Sequence, residues 1–322
     1  MNHKESVTAP LKTHDMRISP VRHSHSVTRF ARLKKWQPLL LIIPFAVFFY
    51  IFQLSPMLWV VTNSFSDGTQ ASLENYREIF DSPFILQGFG NSLWIAFWSS
   101  LAGLFIAALL VSSLRHLNSR IRDMVIAFTN MSSNFVGVPL AFAFIIILGT
   151  NGALTLLLRK FGILDEFNLY GRWGLLAIYT YFQIPLGALL LYPAFDALKK
   201  DWQEAAALLG ANTRQYWLRI ALPVLAPALF GTFIILFANA IGAYASAYAL
   251  TLGNYNLITI RIASLVSGDL FLEPNLAAAI SVLLIAILAL VTVVNQWLIT
   301  KSGHTQSEKT QSRKTRGSDA KH

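Results

Sequence analysis

Uncharged polar side chains lie inside several long apolar runs of this chain, and they are the residues that could do chemistry there. The candidates are Asn134, Gln183, Asn239, Tyr244 and Ser246. Amides and hydroxyls in such surroundings can hydrogen-bond a polar solute along a water-filled path, or they can join neighbouring helices, with about 0.6 to 2 kcal/mol for each bond. The sequence leaves both interpretations open for each side chain.

The run NAIGAYASAY gives these residues their clearest pattern. Asn239, Gly242 and Ser246 recur at spacings of three and four, which places them on one face of a continuous helix. This small and polar stripe fits the lining of a path, and it also fits close packing against a second helix at a dimer interface. Pro139 and Pro185 fall inside apolar runs as well, and each frees a backbone carbonyl that water or a neighbour must satisfy.

Charged residues are almost absent from the apolar runs, and this excludes several kinds of site. The one acid is Asp196, at the end of its run, and no Lys, Arg or His lies within a run. Carriers driven by an ion gradient usually hold a buried ionisable group, and an enzyme within the membrane needs a nucleophile, metal ligands or paired carboxylates. The chain also has no cysteine. We therefore expect no catalytic residue, no metal site and no bound cofactor.

The apolar runs are long enough to cross a membrane. Hydrophobic residues make up 54% of the 322 residues and charged residues only 13%, whereas charge alone is about a quarter of an ordinary soluble domain. A helix needs about 20 apolar residues to cross the hydrocarbon. Six runs reach this length: 38–64, 92–114, 124–149, 174–197, 224–250 and 276–299. The sequence predicts an all-α membrane protein with six transmembrane helices.

Lys and Arg are distributed unevenly between the two sides of this arrangement. The segment before residue 37, the loops 115–123 and 198–223, and the segment after residue 300 hold 21 of the 26. Loops rich in these residues stay in the cytoplasm, so we expect both termini to be cytoplasmic. This topology and an anionic inner leaflet explain the net charge of +10. Nucleic-acid binding is not expected, since no soluble domain remains to read a sequence.

The segments outside the spans carry weaker signals. Residues 1–36 and 301–322 are polar, basic and without apolar periodicity, so we predict disordered cytoplasmic tails. Residues 72–80 fit a short helix on the outer side. Residues 150–173 fit an outer interfacial helix with a turn, and a re-entrant segment is the alternative.

Residues 198–223, between the fourth and fifth predicted spans, form what we call the polar segment. From Asp201 it reads DWQEAAALLGANTRQYWLRIALP. Asp201 and Glu204 have the spacing of a capping box, the alanines and leucines that follow favour a helix, and Gly210 allows the conformation that ends one. Ala205 and Ala206 are expected to make part of the surface small enough for a partner to approach closely.

A second helix is predicted in the rest of the polar segment. Asn212 or Thr213 can cap it, and Pro223 is expected to end it and to open the next span. The sequence therefore predicts two short helices joined at an angle. An amphipathic hairpin lying on the membrane surface is the alternative.

The polar segment resembles the EAA loop of ATP-binding-cassette importer permeases. The matching residues are Glu204, Ala205, Ala206, Gly210, Ile220, Leu222 and Pro223. They agree with that loop in type and spacing, and they lie between the corresponding spans on the corresponding side. On this motif, residues 37–300 resemble a type I permease of that family.

The resemblance implies a fold, a role and a set of partners. The fold is the six-helix type I permease architecture, in the bacterial inner membrane. In that family the loop is a coupling helix that inserts into a cleft of a cytoplasmic ATPase, so that closure of the ATPase dimer moves the spans. The implied partners are an ATPase dimer with its ATP and Mg, a second permease protomer, either identical or a paralogue, an extracytoplasmic solute-binding protein and the lipid bilayer.

The chain itself lacks the G-x-x-x-x-G-K-[ST] phosphate-binding pattern. ATP hydrolysis is therefore assigned to the partner, and this chain is expected to be a transport subunit and not an enzyme. A stand-alone channel or gradient-driven carrier is the alternative class.

Two stretches resemble the polyamine, iron and phosphonate permeases more than the sugar permeases: GNSLWIAFWSSLAGLFIAALLVSSLR and FAFIIILGTNGALTLLLRKFG. We expect a small polar solute such as a polyamine, with phosphonate, iron or sugar as alternatives.

Overall fold

The computed structural model describes residues 42–319 apart from 69, 116, 163–167 and 268–271, with side chains to residue 297 except that of 295. In chain order the helices are α1 (Ile42–Ser64), α2 (Glu74–Asp81), α3 (Pro83–Leu114), α4 (Ser119–Ser133), α5 (Val138–Leu148), α6 (Ala153–Lys160), α7 (Arg172–Asp196), α8 (Lys200–Leu208), α9 (Thr213–Gly242), α10 (Tyr244–Thr251), α11 (Ile258–Ser267) and α12 (Pro274–Asp319). The chain separates into a unit that ends at Met57 and a unit that begins at Leu58. The described part of the first unit is a single apolar helix with exposed side chains.

Six helical stretches of the described residues are long and apolar enough to cross a membrane. They are Ile42–Ser64, Pro83–Leu114, Val138–Lys160, Arg172–Asp196, Thr213–Gly242 and Pro274–Val294. The predicted all-α fold with six spans is confirmed. The third stretch includes α5, α6 and the turn between them. α6 lies within residues 150–173, where the sequence predicts an outer interfacial helix.

The second span begins at Pro83 and not at residue 92. Pro83 stands in the first turn of α3, and the Ser82 hydroxyl accepts a hydrogen bond from the Ile85 N–H at 3.4 Å. A serine cap followed by proline is a strong helix start. The segment that separates the first two spans is therefore shorter than predicted.

The third and fifth predicted spans are each broken. Residues 124–149 divide between α4 and α5, with Gly137 at a φ of 83° before the first residue of α5. Residues 224–250 divide at Ala243, whose φ of −76° and ψ of 83° lie outside the helical region. Apolar composition predicts continuous spans in both places because it carries no information about a local break in the backbone.

The last helix extends beyond its predicted span. α12 continues to Asp319, whereas the sequence predicts a disordered tail from residue 301. No proline follows Pro274 in α12, and an established helix grows without a new nucleation step. The predicted tail of residues 1–36 lies outside the described residues.

The centre of the second unit is a packed group of α3, α7 and α9, in which α3 and α7 share the most extensive contact. Buried side chains at this level include Ile95, Phe182 and Phe237. A Cβ atom on Gly103 of α3 would lie 2.5 Å from the Gln183 Cβ of α7, so this position has room for glycine only. In lipid, such close contact stabilises a bundle mainly through van der Waals packing.

Two smaller clusters lie at opposite ends of α3, which at 32 residues is about 48 Å long. At its start, Ile79 of α2, Phe89 of α3, Ile258 of α11 and Leu276 of α12 pack together. Near its end, side chains of α7 pack against the polar segment. The polar segment is therefore held at one end of the bundle, and α2 and α11 at the other.

Candidate functional site

The first helix of the polar segment, α8, is ended by a glycine turn. Gly210 has a φ of 80°. Its N–H donates to the Ala207 carbonyl at 2.9 Å, and the Ala211 N–H donates to the Ala206 carbonyl at 3.0 Å. This pair of bonds is the Schellman arrangement, which satisfies two carbonyls at the end of the helix. The predicted role of Gly210 in ending this helix is confirmed.

The capping box lies at the second helix and not at the first. The Asn212 Oδ1 accepts from the Gln215 N–H at 2.8 Å, and the Gln215 Oε1 accepts from the Asn212 N–H at 2.9 Å. At the first helix Lys199 is the cap residue and makes no side-chain cap bond. The capping box predicted for Asp201 and Glu204 is therefore wrong, because the helix starts earlier than their spacing requires.

Pro223 does not end the second helix. α9 runs from Thr213 through Pro223 to Gly242 and includes a π-helical turn at Trp217–Ala221. In that turn the Leu222 N–H donates to the Trp217 carbonyl, five residues back. A π turn shifts the bonding register where a proline removes a donor. The second helix of the polar segment and the fifth span are thus one continuous helix.

Two of the motif residues fix α8 against the bundle. Ala206 is buried in a cluster with Phe195 of α7 and with Leu198, which follows that helix, and Tyr216 is buried in the same cluster. Ile220 packs against it from α9. The prediction that Ala206 leaves room for a partner is therefore wrong, because its methyl group faces the protein's own core.

The other face of α8 is open. Glu204 and Ala205 are exposed, and Leu208 and Leu209 are 90% and 88% exposed. These two adjacent leucines form an apolar tip on a short polar helix, and this tip is available for contact with another molecule. The sequence motif does not single out these two leucines, although two adjacent leucines just before a helix-ending glycine are the available signal. Leu222 and Pro223 are also exposed, on α9.

Gln183 lies in the packed centre of the bundle and not on an open path. It is fully buried, and its Nε2 donates to the Leu236 carbonyl of α9 at 2.7 Å and to the Ser100 hydroxyl of α3 at 3.0 Å. Its Oε1 has no hydrogen-bond partner. The prediction that Gln183 lines a path is therefore wrong for this conformation, since the side chain joins three helices.

The two broken spans meet each other. The Ser246 hydroxyl of α10 accepts from the Gly137 N–H at 3.0 Å and lies 3.3 Å from the Gly137 carbonyl oxygen. The Tyr179 hydroxyl of α7 donates to the Ala243 carbonyl at 2.6 Å. Backbone groups that a broken helix leaves free are thus satisfied by side chains, as a membrane interior requires.

The remaining polar candidates divide between buried and exposed positions. Ser246 is 1% exposed and is committed to the break at Gly137, so the stripe predicted on one continuous helix does not exist. Asn134 and Asn239 are exposed, at the end of α4 and on α9. Tyr244 is half-buried and its ring lies 5.3 Å from that of Tyr248. Asn134 and Asn239 are therefore the candidates that can face a solute.

The opposite end of the bundle holds a polar contact that fixes α11. The Asn256 Nδ2 donates to the Phe84 carbonyl at 2.8 Å, and the Asn256 Oδ1 accepts from Arg261 at 3.1 Å. Burial lowers the pKa of Arg261 from its ordinary value. On α2, burial raises the pKa of Glu78, with further contributions from the nearby carboxylates of Glu273 and Glu74. No group of His, Asp or Glu among the described residues could hold a metal ion.

Residues 99–302 match the family described as binding-protein-dependent transport system inner membrane component. The chain belongs to this family. It is a permease of an ATP-binding-cassette importer, a multi-pass component of the inner membrane.

Relatives of this chain are named for different transported solutes. The chain is 25% identical over 262 residues to the sulfoquinovosyl glycerol transport system permease protein SmoH of Agrobacterium fabrum, with 76% of this chain and 86% of that one covered. It is 27% identical over 294 residues to the ferric transport system permease protein FbpB of Actinobacillus pleuropneumoniae, covering 87% of this chain and 41% of the larger protein. The spermidine/putrescine transport system permease protein PotC of Haemophilus influenzae is 23% identical over 269 residues, covering 81% of this chain and 95% of that one.

Solved structures agree on the fold. A bacterial ABC transporter involved in the import of the acidic polysaccharide alginate matches with a TM-score of 0.69 and 17% identity, covering 84% of this chain and 98% of that chain. The same kind of transporter in complex with an alginate pentasaccharide-bound periplasmic protein matches with a TM-score of 0.68 and 16% identity, covering 84% and 96%. The fold is that of a type I importer permease.

Proposed function

We propose that this permease couples ATP hydrolysis by a separate cytoplasmic ATPase dimer to the import of a small polar solute. The observation that carries the proposal is the exposed tip of α8. Leu208 and Leu209 are 90% and 88% exposed, and Glu204 lies exposed one turn earlier on the same helix. An apolar tip with an acidic residue beside it suits a cleft that offers an apolar floor and a basic rim.

The tip is held rigidly enough to transmit a force. Ala206 and Tyr216 pack it against α7, the Schellman turn fixes the end of α8, and the capping box fixes the start of α9. Because α9 continues from the capping box into the fifth span, displacement of the tip is passed directly to that span. This continuity supports a coupling role over that of a hairpin resting on the membrane.

The assembly proposed around this chain contains two permease protomers, identical or paralogous, and a solute-binding protein on the outer side. The solute would pass between the protomers. Asn134 and Asn239, which are exposed in this chain, are the residues proposed to line its path. Both termini and the polar segment would lie in the cytoplasm, following the distribution of Lys and Arg. ATP and Mg would be bound by the ATPase alone. The solved alginate transporter that is in complex with a periplasmic protein supports a binding protein as a partner.

The cargo proposed from the sequence is a small polar solute such as a polyamine. The exposed candidates, Asn134 and Asn239, are neutral amides that can hydrogen-bond amines, hydroxyls or phosphonates alike. Relatives are named for a sugar derivative, ferric iron and polyamines, so phosphonate, iron and sugar stay as alternatives. Uptake of labelled putrescine, competed in turn by a phosphonate, a ferric salt and a disaccharide, separates these classes.

The coupling role is tested by co-purification with a candidate cytoplasmic ATPase and by ATP-driven uptake in proteoliposomes. Glu204→Lys and the pair Leu208→Ser with Leu209→Ser should abolish both. Unfolding temperatures should stay unchanged, because these side chains have little contact with the rest of the chain. The matched control is Leu73→Ser, since Leu73 is 66% exposed at the opposite end of the bundle. Unchanged uptake in Glu204→Lys and in the leucine pair would contradict the coupling role.

A further inference from the structure

A polar cavity of about 290 Å³ lies beside the polar segment, where α3, α4, α7 and α8 meet. We call it the basic pocket. Its charged lining is strongly unbalanced, with four cations against one acid: Arg115, Arg122, Lys199 and Lys200 against Asp196. Four positive charges in so small a space repel one another, so the pocket attracts an anion.

Backbone dipoles add to this positive charge. α4 begins beside the pocket at Ser119, with no side-chain cap bond from Asn118 and no acid in its first turn. α8 begins there at Lys200 and its cap residue Lys199 makes no side-chain cap bond either, although Asp201 lies in its first turn. The contribution from α4 is therefore the clearer of the two. The start of a helix carries a partial positive charge and free N–H groups, which favour a bound anion.

One of the guanidinium groups has hydrogen-bonding capacity left over. The buried Nε of Arg122 has no hydrogen-bond partner. It forms a long ion pair with the exposed Asp123 carboxylate, whose Oδ1 lies 3.9 Å away, and this distance is too great for a hydrogen bond. Arg115, in contrast, donates to the Leu198 carbonyl and is held in place by it. The pocket thus contains one fixed cation and one with an unused donor.

The basic pocket continues into an apolar groove between α4 and the α3–α7 pair. A cavity of about 50 Å³ shares Val111 and Tyr192 with the pocket. A further cavity of about 230 Å³ shares Thr129 with that one and is lined mainly by apolar side chains, among them Val125 and Ile184. The lining therefore changes from cationic to apolar along one direction, away from the polar end of the bundle.

We propose that an anionic phospholipid binds at this site, with its phosphate in the basic pocket and one acyl chain in the apolar groove. The occupant must be both anionic and amphipathic, because a free anion would leave the groove unused and an uncharged lipid would leave the cations uncompensated. Basic pockets between transmembrane helices are suited to anionic headgroups. Since Lys199 and Lys200 begin α8, the headgroup also holds the helix whose far end carries Leu208 and Leu209. The proposal concerns lipid binding by this chain and does not depend on the proposed transport function.

The test uses the full-length chain in a neutral detergent, with lipid retention measured by native mass spectrometry. Phosphatidylglycerol and phosphatidylcholine of matched chain length are titrated separately. We expect selective retention of phosphatidylglycerol, and a loss of affinity of about 30-fold in the pair Arg122→Gln with Lys199→Gln, since each cation near a headgroup contributes about a factor of five. The matched control is Arg214→Gln with Arg219→Gln, which removes two exposed cations of the polar segment outside the pocket lining.

A second variant tests the acyl-chain groove. Thr129→Phe fills the space that the two apolar cavities share, and it should weaken phosphatidylglycerol binding while the unfolding temperature without lipid stays near that of the wild type. Inorganic phosphate, added to the wild-type chain in place of lipid, should raise the unfolding temperature much less than phosphatidylglycerol does.

Three results would overturn the proposal. The first is equal retention of the two lipids. The second is unchanged retention in the pocket pair, and if that pair also loses ATPase co-purification, the pocket is assigned to the protein partner. The third is protection by inorganic phosphate equal to that by phosphatidylglycerol together with full binding by Thr129→Phe, which would indicate a free-anion site.

Discussion

The glycine turn between α8 and α9 permits a prediction that depends on backbone geometry alone. Gly210 has a φ of 80°, and a Cβ atom at this position would meet no heavy atom within 4 Å. A substitution therefore causes no clash, and its cost is the price of placing an L-residue in the left-handed region. That cost is about 1 to 2 kcal/mol for alanine, lower for asparagine and higher for a β-branched residue.

The expected order of local stability is therefore Gly, Asn, Ala, Val. For Gly210→Val we expect the turn to open about 30-fold more often, because about 2 kcal/mol of backbone strain destabilises the closed turn. Hydrogen–deuterium exchange of peptides that cover residues 200–216 measures this opening in the purified chain. In proteoliposomes that contain the ATPase, uptake should fall in the same order, because α8 loses its fixed relation to α9.

A second glycine provides the control. Gly90 of α3 is also exposed and also has open space around its missing Cβ, but its φ is not positive. Gly90→Ala should leave exchange in residues 200–216 unchanged and should stabilise α3 by about 0.5 to 1 kcal/mol. If Gly210→Val exchanges like the wild type, or if Gly210→Asn is as damaging as Gly210→Val, the argument from backbone conformation is refuted.

Three further substitutions test other parts of the structure. Tyr216→Phe removes a buried hydroxyl that has no hydrogen-bond partner, so the unfolding temperature in detergent should rise, and a fall would show that the hydroxyl is satisfied. Ser246→Ala leaves the N–H of Gly137 unpaired, whereas the Gly137 carbonyl still accepts from the Ala141 N–H. Thermal unfolding should show a loss of about 1 to 3 kcal/mol; an unchanged value would mean that the break does not depend on this contact. The raised pKa of Glu78, above its ordinary 4.5, means that the folded chain binds this proton more tightly than the unfolded chain, so its contribution to stability is lost as pH rises. The free energy of unfolding of Glu78→Gln, relative to that of the wild type, should therefore increase from about pH 4 to about pH 7. The same relative value at both pH values would contradict this.

Sequence patterns predict the elements of this fold better than they predict the exposed faces. Span length and composition are enough to place six membrane helices, because a helix in lipid must satisfy its own backbone. The breaks at Gly137 and Ala243 depend on Ser246 and Tyr179, which come from distant parts of the chain. Periodicity within one segment cannot report such bonds, so it predicts one continuous stripe where the structure has two helices.

In the candidate site too, local features are predicted from the sequence and contacts between distant residues are not. The motif locates α8 and its ending glycine, because both depend on local backbone chemistry. Which alanine is buried depends on the packing of α8 against Phe195 and Leu198. The local sequence carries no information about that packing, so it wrongly predicts that Ala206 faces a partner. Gln183 has the same amide whether it lines a path or joins helices, and only the positions of Ser100 and Leu236 decide between these roles.

The exposure of Leu208 and Leu209 also bears on how the protein is produced in the cell. In the proposed assembly, a permease made without its ATPase would present two uncovered leucines to the cytoplasm, on a helix tip that the bundle holds in place. Quality-control proteases and chaperones act on exposed apolar surface of this kind. We therefore expect the amount of this chain in the membrane to follow the amount of its ATPase. The double variant Leu208→Ser with Leu209→Ser should accumulate equally with and without that partner.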